Sequence, residues 1–350
     1  MRKQADTSIQ RVTIRDIARE IHVSTATVSN ALTGQRPVDP ATRQRVMDAA
    51  ARLGYTPNLR ARQLRTGRAD TIAIFSSMPS SIAGGRSRLG FLLELAGSAA
   101  EKALQRGIAL MLIPPLEAGW GAPRDFHIDG AIVVEPHADD PEVAALRQRN
   151  LPVVTIGRQP DARDIACVDL RSAAATTMML QHLFDQQVRN MALIIGSERR
   201  NSYLEARQAY QHFVRRKRMR PAVIAIDETG GEDAACAATA ALLQQRPEID
   251  GIYASVDVFA SGALRAINQS GRRVPADVKL ATRYDGFHAR DSIPPITAFD
   301  MRLSDVGAAA VDLLLRQMHG DEAAPSLSSP EPQLIQRESS RSHAMAHRAG

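Results

Sequence analysis

A short segment near the N-terminus presents small and amide side chains at the spacing of one helix face. These residues are Thr25, Ala26, Ser29 and Asn30. A helix that needs only to be solvated usually carries Lys or Glu there, whereas small side chains let its backbone approach a groove closely. Asn suits adenine, and Thr or Ala can contact the thymine methyl group. The pattern therefore indicates a helix that contacts the edges of DNA bases.

The charge distribution separates this segment from the rest of the chain. Residues 1–68 contain 13 Lys and Arg against 5 Asp and Glu, whereas residues 69–350 contain 31 against 33. The formal net charge of +6 therefore comes from the first fifth of the chain. A basic module on a near-neutral body favours a polyanionic partner for the module, although a solvated basic arm would have the same composition.

Local start and stop signals predict three short helices around the segment. The caps are Thr13 with Asp16, Ser24, and Asp39 with Pro40, and the stops are Gly34 and Gly54. Between the first two helices the chain must turn, and His22 tolerates the left-handed conformation that such a turn often needs. The apolar positions Ile17, Val28 and Val46 would form a common core. We therefore expect one compact three-helix unit.

Four stretches carry a resemblance to the LacI/GalR family of bacterial transcription regulators. They are Val12–Ala18, Val23–Leu32, Thr42–Arg43 and Leu53–Asn58. The resemblance implies base contacts by Thr25, Ala26, Ser29 and Asn30, with Ser29 also matching a phosphate-contact position. It implies phosphate contacts by Thr13, Ser24, Thr27, Thr42 and Tyr55. A homodimer would then place two such heads on a pseudo-palindromic operator in double-stranded DNA.

Residues 58–68 resemble the hinge helix of that family. Asn58 would cap it, Ala61 would face its symmetry mate, and Leu64 would wedge into the minor groove. Isolated helices need about 12–15 residues, so this segment should fold only against DNA and the partner subunit. The alternative is an ordinary basic linker.

From Thr71 onward, apolar strand-like runs alternate with amphipathic helices, which predicts parallel sheets. The expected fold is an all-α helix-turn-helix head followed by an α/β two-lobed periplasmic-binding-protein-like body. The expected domains are residues 11–57 (head), 58–68 (hinge) and 71–340 (effector-binding and dimerisation), with a disordered tail at 341–350. The first lobe would comprise about 71–158 and 302–325, and the second about 160–290 and 326–340. Gln333–Ser340 would form the last strand.

The body resembles the family's sensor domain more loosely. The match implies a small-molecule effector, such as a sugar or a related metabolite, held by Arg207, Asp285, Asp257 and Tyr203. A structural salt bridge is the alternative for the charged residues. Val256, Gly157 and Gly230 stand where the family usually has polar or aromatic pocket residues. The effector is therefore expected to be unusual, or sensing to have been lost.

Other classes of protein receive little support from the sequence. No phosphate-binding loop, nucleophile elbow or metal-spaced Cys/His cluster occurs, so no enzyme, cofactor, catalytic residue or metal is expected. The chain has no apolar run long enough for a membrane span and no apolar leader. Its two cysteines, Cys167 and Cys236, suit a reducing cytoplasm. An enzyme on the same sheet, a free-standing binding protein and a DNA-binding protein without an effector are the alternatives.

Overall fold

The structure, a computed structural model, describes residues 12–34, 36–55, 67–83, 90–113, 126–321 and 326–341. The chain divides between Arg68 and Ala69 into two compact units, here named the head and the body. The hinge residues Asn58, Ala61 and Leu64 lie outside the described residues, as does the expected tail from residue 342.

The head contains three short helices around a small apolar core. They are α1 (Ile14–Glu20), α2 (Thr25–Thr33) and α3 (Pro40–Leu53). Ile17, Val28, Val46 and Ala49 are completely buried where the three helices meet, and Ala31 is nearly so. Small and β-branched side chains allow such short helices to pack closely. The expected three-helix unit is confirmed.

Side-chain caps fix the ends of these helices. The Thr13 backbone N–H donates to Asp16 Oδ2 at 2.9 Å. Ser24 Oγ accepts the Thr27 backbone N–H at 3.0 Å. His22 takes the left-handed conformation with φ of 54°, and Gly34 and Gly54 end α2 and α3 at positive φ. The predicted starts, turn and stops of the head are thus confirmed.

The body consists of two α/β lobes. The N-lobe contains a six-stranded parallel sheet in the order β11-β5-β4-β3-β1-β2, and the C-lobe a sheet in the order β12-β10-β9-β8-β6-β7. Among the strands that the structure describes, β12 alone pairs antiparallel. The central strands are buried on both faces because helices cover each sheet from both sides. The strands are β1 (Thr71–Ser76), β2 (Ala109–Ile113), β3 (Gly130–Val134), β4 (Val153–Ile156), β5 (Ala166–Asp169), β6 (Met191–Gly196), β7 (Val223–Ile226), β8 (Gly251–Ala254), β9 (Lys279–Tyr284), β10 (Thr297–Asp300), β11 (Leu327–Ser328) and β12 (Gln333–Ile335).

Nine further helices connect these strands among the described residues. They are α4 (Ser80–Ala83), α5 (Phe91–Gln105), α6 (Pro141–Gln148), α7 (Ser172–Asp185), α8 (Asn201–Arg216), α9 (Gly231–Gln245), α10 (Asp257–Gln269), α11 (Phe287–Arg290) and α12 (Leu303–Met318). Of these, α5, α6 and α12 belong to the N-lobe and α7 to α11 belong to the C-lobe, whereas α4 follows β1 and packs mainly against the C-lobe. The contacts of α12 are mainly with α5 and the N-lobe strands, which brings a late segment back to the first lobe.

The sheets differ from the predicted lobes at two places. β5 pairs with β4, and β11 pairs with β5, so residues 166–169 and 327–328 belong to the N-lobe rather than to the C-lobe. The last predicted strand is also too long, because a 3₁₀ turn at Glu338–Ser340 follows β12. Ser339 Oγ donates to the Leu280 carbonyl and accepts the Thr297 N–H, and such side-chain bonds replace a strand ladder.

Candidate DNA interface and interlobe cleft

The outer side of α2 is a small polar surface. Thr25 and Ala26 are exposed, and Ser29 and Asn30 are half-buried. All four lie on the helix that follows the left-handed turn at His22, and the opposite side of the helix is fixed in the core by Val28. The four predicted base-reading residues are therefore brought together on one helix.

Four of the five predicted phosphate-contacting hydroxyls, all except that of Tyr55, take part in helix caps. Thr13 Oγ1 donates to Asp16 Oδ2 at 2.7 Å, and Thr42 Oγ1 donates to Asp39 Oδ2 at 3.1 Å. Ser24 Oγ lies 2.8 Å from Thr27 Oγ1. The Thr13 hydrogen bonds lower the pKa of Asp16. These hydroxyls stand at the N-termini of the three helices, where backbone N–H groups favour anions.

Tyr55 is half-buried against the head core after the end of α3. Burial raises the pKa of its phenol, so the hydroxyl keeps its proton at neutral pH and remains a hydrogen-bond donor. Some of the basic charge of the head is structural, since Arg45 donates to the Ile21 carbonyl and Arg52 pairs with Glu20 at 2.8 Å.

The two lobes of the body enclose a cleft at the carboxyl ends of their parallel strands. A cavity of about 60 Å³ lies there. Its apolar lining comes mainly from the N-lobe and its polar lining mainly from the C-lobe. The lining residues are Ser76, Met78, Ile82, Ala83, Phe91, Leu92, Glu135, Ser255, Val256, Asp257, Arg283 and Tyr284. Open α/β sheets place ligands at this edge.

A buried ionic network crosses the cleft from lobe to lobe. Glu135, directly after β3, accepts from Arg283 of β9 at 2.9 Å and from Ser202 of α8 at 2.7 Å. Arg200 donates to the Ser77 carbonyl at 3.0 Å and to the carbonyl of Glu135, and it pairs with Glu228 at 2.7 Å. All four charged residues are nearly inaccessible to solvent. We name Glu135, Arg200, Glu228 and Arg283 the interlobe network.

Opposite charges keep both guanidinium groups of the network protonated. Burial alone would lower the pKa of Arg200 and of Arg283, but Glu228 and Glu135 raise these pKa values above the usual range. A second cavity of about 380 Å³ lies beside the network, and Arg200, Glu228, His137 and Asp140 are among its lining residues.

Asp257 and Ser255 are the polar groups that the network leaves available in the smaller cavity. Asp257 is 8% exposed and accepts only a local hydrogen bond, from the Val258 N–H at 3.0 Å. Burial raises the pKa of this carboxyl group, while His288 opposes the shift. Ser255 Oγ is buried without a hydrogen-bond partner among the described residues. A ligand that enters the cavity would meet both groups.

The structure separates the four predicted effector-binding residues. Asp257 lines the cavity, and Tyr203 is buried beside Glu228 and packs over Gly196. Asp285 instead accepts from Arg337 at 2.9 Å and from Arg290 at 3.0 Å, which is the structural salt bridge weighed as the alternative. Arg207 is exposed on α8 and lines neither cavity, so the guanidinium groups in the cleft are those of Arg200 and Arg283.

Sequence reasoning missed the interlobe network. A signal was present, because Glu135 directly follows an apolar strand and Arg283 interrupts another near its carboxyl end. Charged residues at those ends of parallel strands face the ligand-binding edge. Gly157 is a second signal: its φ of 84° and its lack of a side chain leave space beside the Glu135 carboxylate.

A helix-turn-helix head with a two-lobed, cleft-bearing body defines the class of ligand-responsive DNA-binding regulators. Residues 13–58 match the family described as "Bacterial regulatory proteins, lacI family", and residues 180–340 match a periplasmic binding protein-like domain. The chain therefore combines a DNA-binding domain of the lacI family model with a periplasmic binding protein-like domain, and it is similar to LacI-family regulators.

Relatives and solved structures agree with this assignment over nearly the full length. The HTH-type transcriptional regulator CelR of Thermobifida fusca is 29% identical, with 94% of this chain and 98% of that protein covered. The structure of a CelR–cellobiose complex has a TM-score of 0.69 at 26% identity, covering 94% of this chain and all of that one. A Lac repressor dimer bound to operator has a TM-score of 0.76 at 22% identity, covering 95% and 100%, and supports the fold. No helix among the described residues is long and apolar enough to cross a membrane.

Proposed function

We propose that this protein is a sequence-specific transcription regulator that represses by binding a pseudo-palindromic DNA operator as a homodimer. The observation that carries the proposal is the outer side of α2, where Thr25, Ala26, Ser29 and Asn30 form a small polar surface on a basic head. A homodimer would present two such helices to successive major-groove segments. Because such a protein acts on the chromosome, the proposal includes a cytoplasmic location. It includes no catalytic reaction.

The proposal includes control by a small molecule in the interlobe cleft. A structure of the relative CelR is a complex with cellobiose, so a sugar or a related hydroxyl-rich metabolite is the proposed effector class. The closed cavity of about 60 Å³ has little space for a sugar ring. A sugar-sized effector fits the second cavity of about 380 Å³, where it would meet Arg200 and Glu228 of the interlobe network. It would enter the smaller cavity beside Asp257 only if the lobes separate. Coupling of this kind typically changes DNA affinity by about 1–3 kcal/mol.

A selection from random duplexes tests the DNA-binding part. Full-length protein should enrich a pseudo-palindrome, and its affinity should fall steeply as salt rises, because phosphate contacts release counterions. Repeating the selection with pooled metabolites should change the enrichment. If no duplex is preferred over random competitor at moderate ionic strength, the proposal is wrong.

A regulator without effector sensing is the second candidate, and the interlobe network favours it. The network already satisfies the charges of the cleft from within the chain. Calorimetric titration of the metabolites that change the selection decides between the two candidates. Saturable heat that disappears in an Asp257→Ala variant supports sensing, and the absence of heat with every metabolite supports the second candidate.

A further inference from the structure

Helix α8 of the C-lobe carries a strongly basic outer face that the proposed function does not use. Its exposed guanidinium groups belong to Arg207, Arg215, Arg216 and Arg218, which we name the α8 basic face. The inner side of the helix is anchored by Tyr203, Tyr210 and Phe213. The four arginines therefore point away from the core of the C-lobe.

The charge of this face is not balanced locally. No Asp or Glu occurs between Glu205 and Asp227, and Lys217 and Arg220 add to the positive charge. Among the described residues, no ion pair joins any of the four arginines to an acid. Several other arginines of the body are paired with acids. Examples are Arg147 with Asp164, Arg199 with Asp161, Arg265 with Asp233 and Arg316 with Asp321.

Helix stability explains only part of this pattern. Arg215 and Arg216 lie in the last turn, where cations interact favourably with the helix dipole. Arg207 lies more than two turns earlier. Arg218 follows the helix end in the left-handed conformation, with φ of 54°, where glycine is usually preferred. Because this backbone conformation is unfavourable for arginine, folding does not explain why arginine occupies position 218.

The chemistry of the face matches a phosphodiester backbone better than a protein surface. Gln208, Gln211 and His212 are also exposed and add hydrogen-bond donors between the arginines. Leu204, 42% exposed, is the large apolar side chain on this side of the helix. Protein interfaces usually have an apolar or aromatic centre, whereas phosphate binding requires mainly cations and donors. The helix rises about 13 Å from Arg207 to Arg216, enough for several phosphates at about 3.4 Å of axial rise each.

We propose that the α8 basic face binds the backbone of double-stranded DNA without sequence preference. This goes beyond operator binding, because the head and the α8 basic face belong to different units of the chain. Helix α8 runs from the carboxyl end of β6 to the amino end of β7, so its arginine-rich end lies at the sheet edge opposite the cleft. One molecule can then hold a second duplex while its head holds the first.

A two-duplex capture assay tests this inference with full-length protein. One duplex, preferably carrying the selected operator, is immobilised, and a labelled duplex of random sequence is added at about 50 mM salt, where phosphate contacts are strong. The test variant changes Arg207, Arg215, Arg216 and Arg218 to Gln. The matched control changes Arg147, Arg199, Arg273 and Arg316, which are exposed but paired, to Gln.

Wild type and control should capture the second duplex, and the test variant should lose about tenfold or more of that capture because its phosphate partners are missing. Retention of the protein on the first duplex reports the head separately, so failure of operator binding is recognised independently. Capture by the test variant equal to wild type overturns the inference, as does absence of capture by wild type. Displacement by polyglutamate but not by random duplex would indicate an acidic protein partner and would also overturn it.

Discussion

Glu135 is a buried N-lobe carboxylate that contributes to the contact between the two lobes. It lies at the end of β3 with φ of 52°, a conformation that costs a non-glycine residue about 1–2 kcal/mol. Both of its oxygens are bound by C-lobe residues, Arg283 and Ser202. Buried ionic contacts add little net stability, but an unpaired buried charge is strongly unfavourable. The interlobe network therefore selects the closed arrangement rather than adding much to its stability.

Loss of one partner of the Glu135–Arg283 pair should destabilise the body. Arg283→Met leaves the Glu135 charge buried and should lower the free energy of unfolding by about 3–5 kcal/mol in urea titration. Arg147→Met, which breaks an exposed pair with Asp164, serves as the control and should cost at most about 1 kcal/mol. Adding Glu135→Leu to Arg283→Met should recover part of the loss. Equal costs for the two single changes would contradict the role of the network.

Asn30 is the residue of α2 whose substitution should change sequence preference. Asn30→Ala should relax preference at one position of each half-site, with a loss of about 1–3 kcal/mol of discrimination there. Competition binding on a set of single-base operator variants measures this loss. Uniform weakening on every sequence would instead make Asn30 a phosphate contact.

Residue types predicted the arrangement of the α2 surface better than they predicted the lining of the cleft. The α2 surface follows from one local helix, whose core face was visible in Val28 and Ala31. The cleft is assembled from strand ends far apart in sequence, such as Glu135 and Arg283. The prediction that Arg207 lies in the cleft was wrong, because the position of a cation along a helix does not reveal which side of the lobe it faces. Asp257 was correctly expected in the cleft lining.

At the scale of elements, the 3₁₀ turn after β12 is held against α7 and β10 of the C-lobe by side-chain hydrogen bonds. Ser340 Oγ lies 2.8 Å from His182 Nε2 of α7 and 2.6 Å from Thr297 Oγ1 of β10. Burial lowers the pKa of His182 below its ordinary value of 6.5, and nearby Asp185 only partly opposes this. The neutral imidazole is therefore the form that the folded C-lobe prefers.

Because the folded C-lobe prefers neutral His182, the free energy of unfolding should decrease as the pH falls. Because the folded pKa of His182 is lowered, its contribution to stability is present above about pH 6.5 and is lost as the pH falls below that value. The melting temperature should thus decrease from pH 7.5 towards pH 5. His182→Gln, which keeps a hydrogen-bonding group near Ser340, should flatten this part of the profile. An unchanged profile in the variant would assign the pH dependence to other groups.

Strands with a continuous apolar run were predictable, whatever their length. β1, β3 and β6 have such runs, which is the pattern of a strand buried on both faces, and the four-residue strands β4, β7 and β8 were also predicted. β5 and β10 were missed because each has at most three consecutive apolar or small residues before an Asp. β11 is specified by its neighbour rather than by its own sequence, since Leu327 pairs in register with Val168.

For the whole molecule, the expected coupling between body and DNA passes through the hinge, and Leu64 is the residue to test. Leu64→Ala should abolish operator bending, because without the side chain nothing offsets the few kcal/mol of unstacking per base step. Gel mobility of circularly permuted operator fragments measures the bend. Melting of the body should be unchanged, and wild-type bending in the variant would remove the wedge role.

The path of the chain through the body has a consequence for its biosynthesis. The polypeptide leaves the N-lobe after β5, returns to it after β10 for α12 and β11, and ends in the C-lobe at β12. During synthesis, the N-lobe sheet therefore cannot be completed before β11 is made, nor the C-lobe sheet before β12. Until then β5 and β10 present open edges that can pair with other chains. We expect newly made protein to depend on chaperones at this stage.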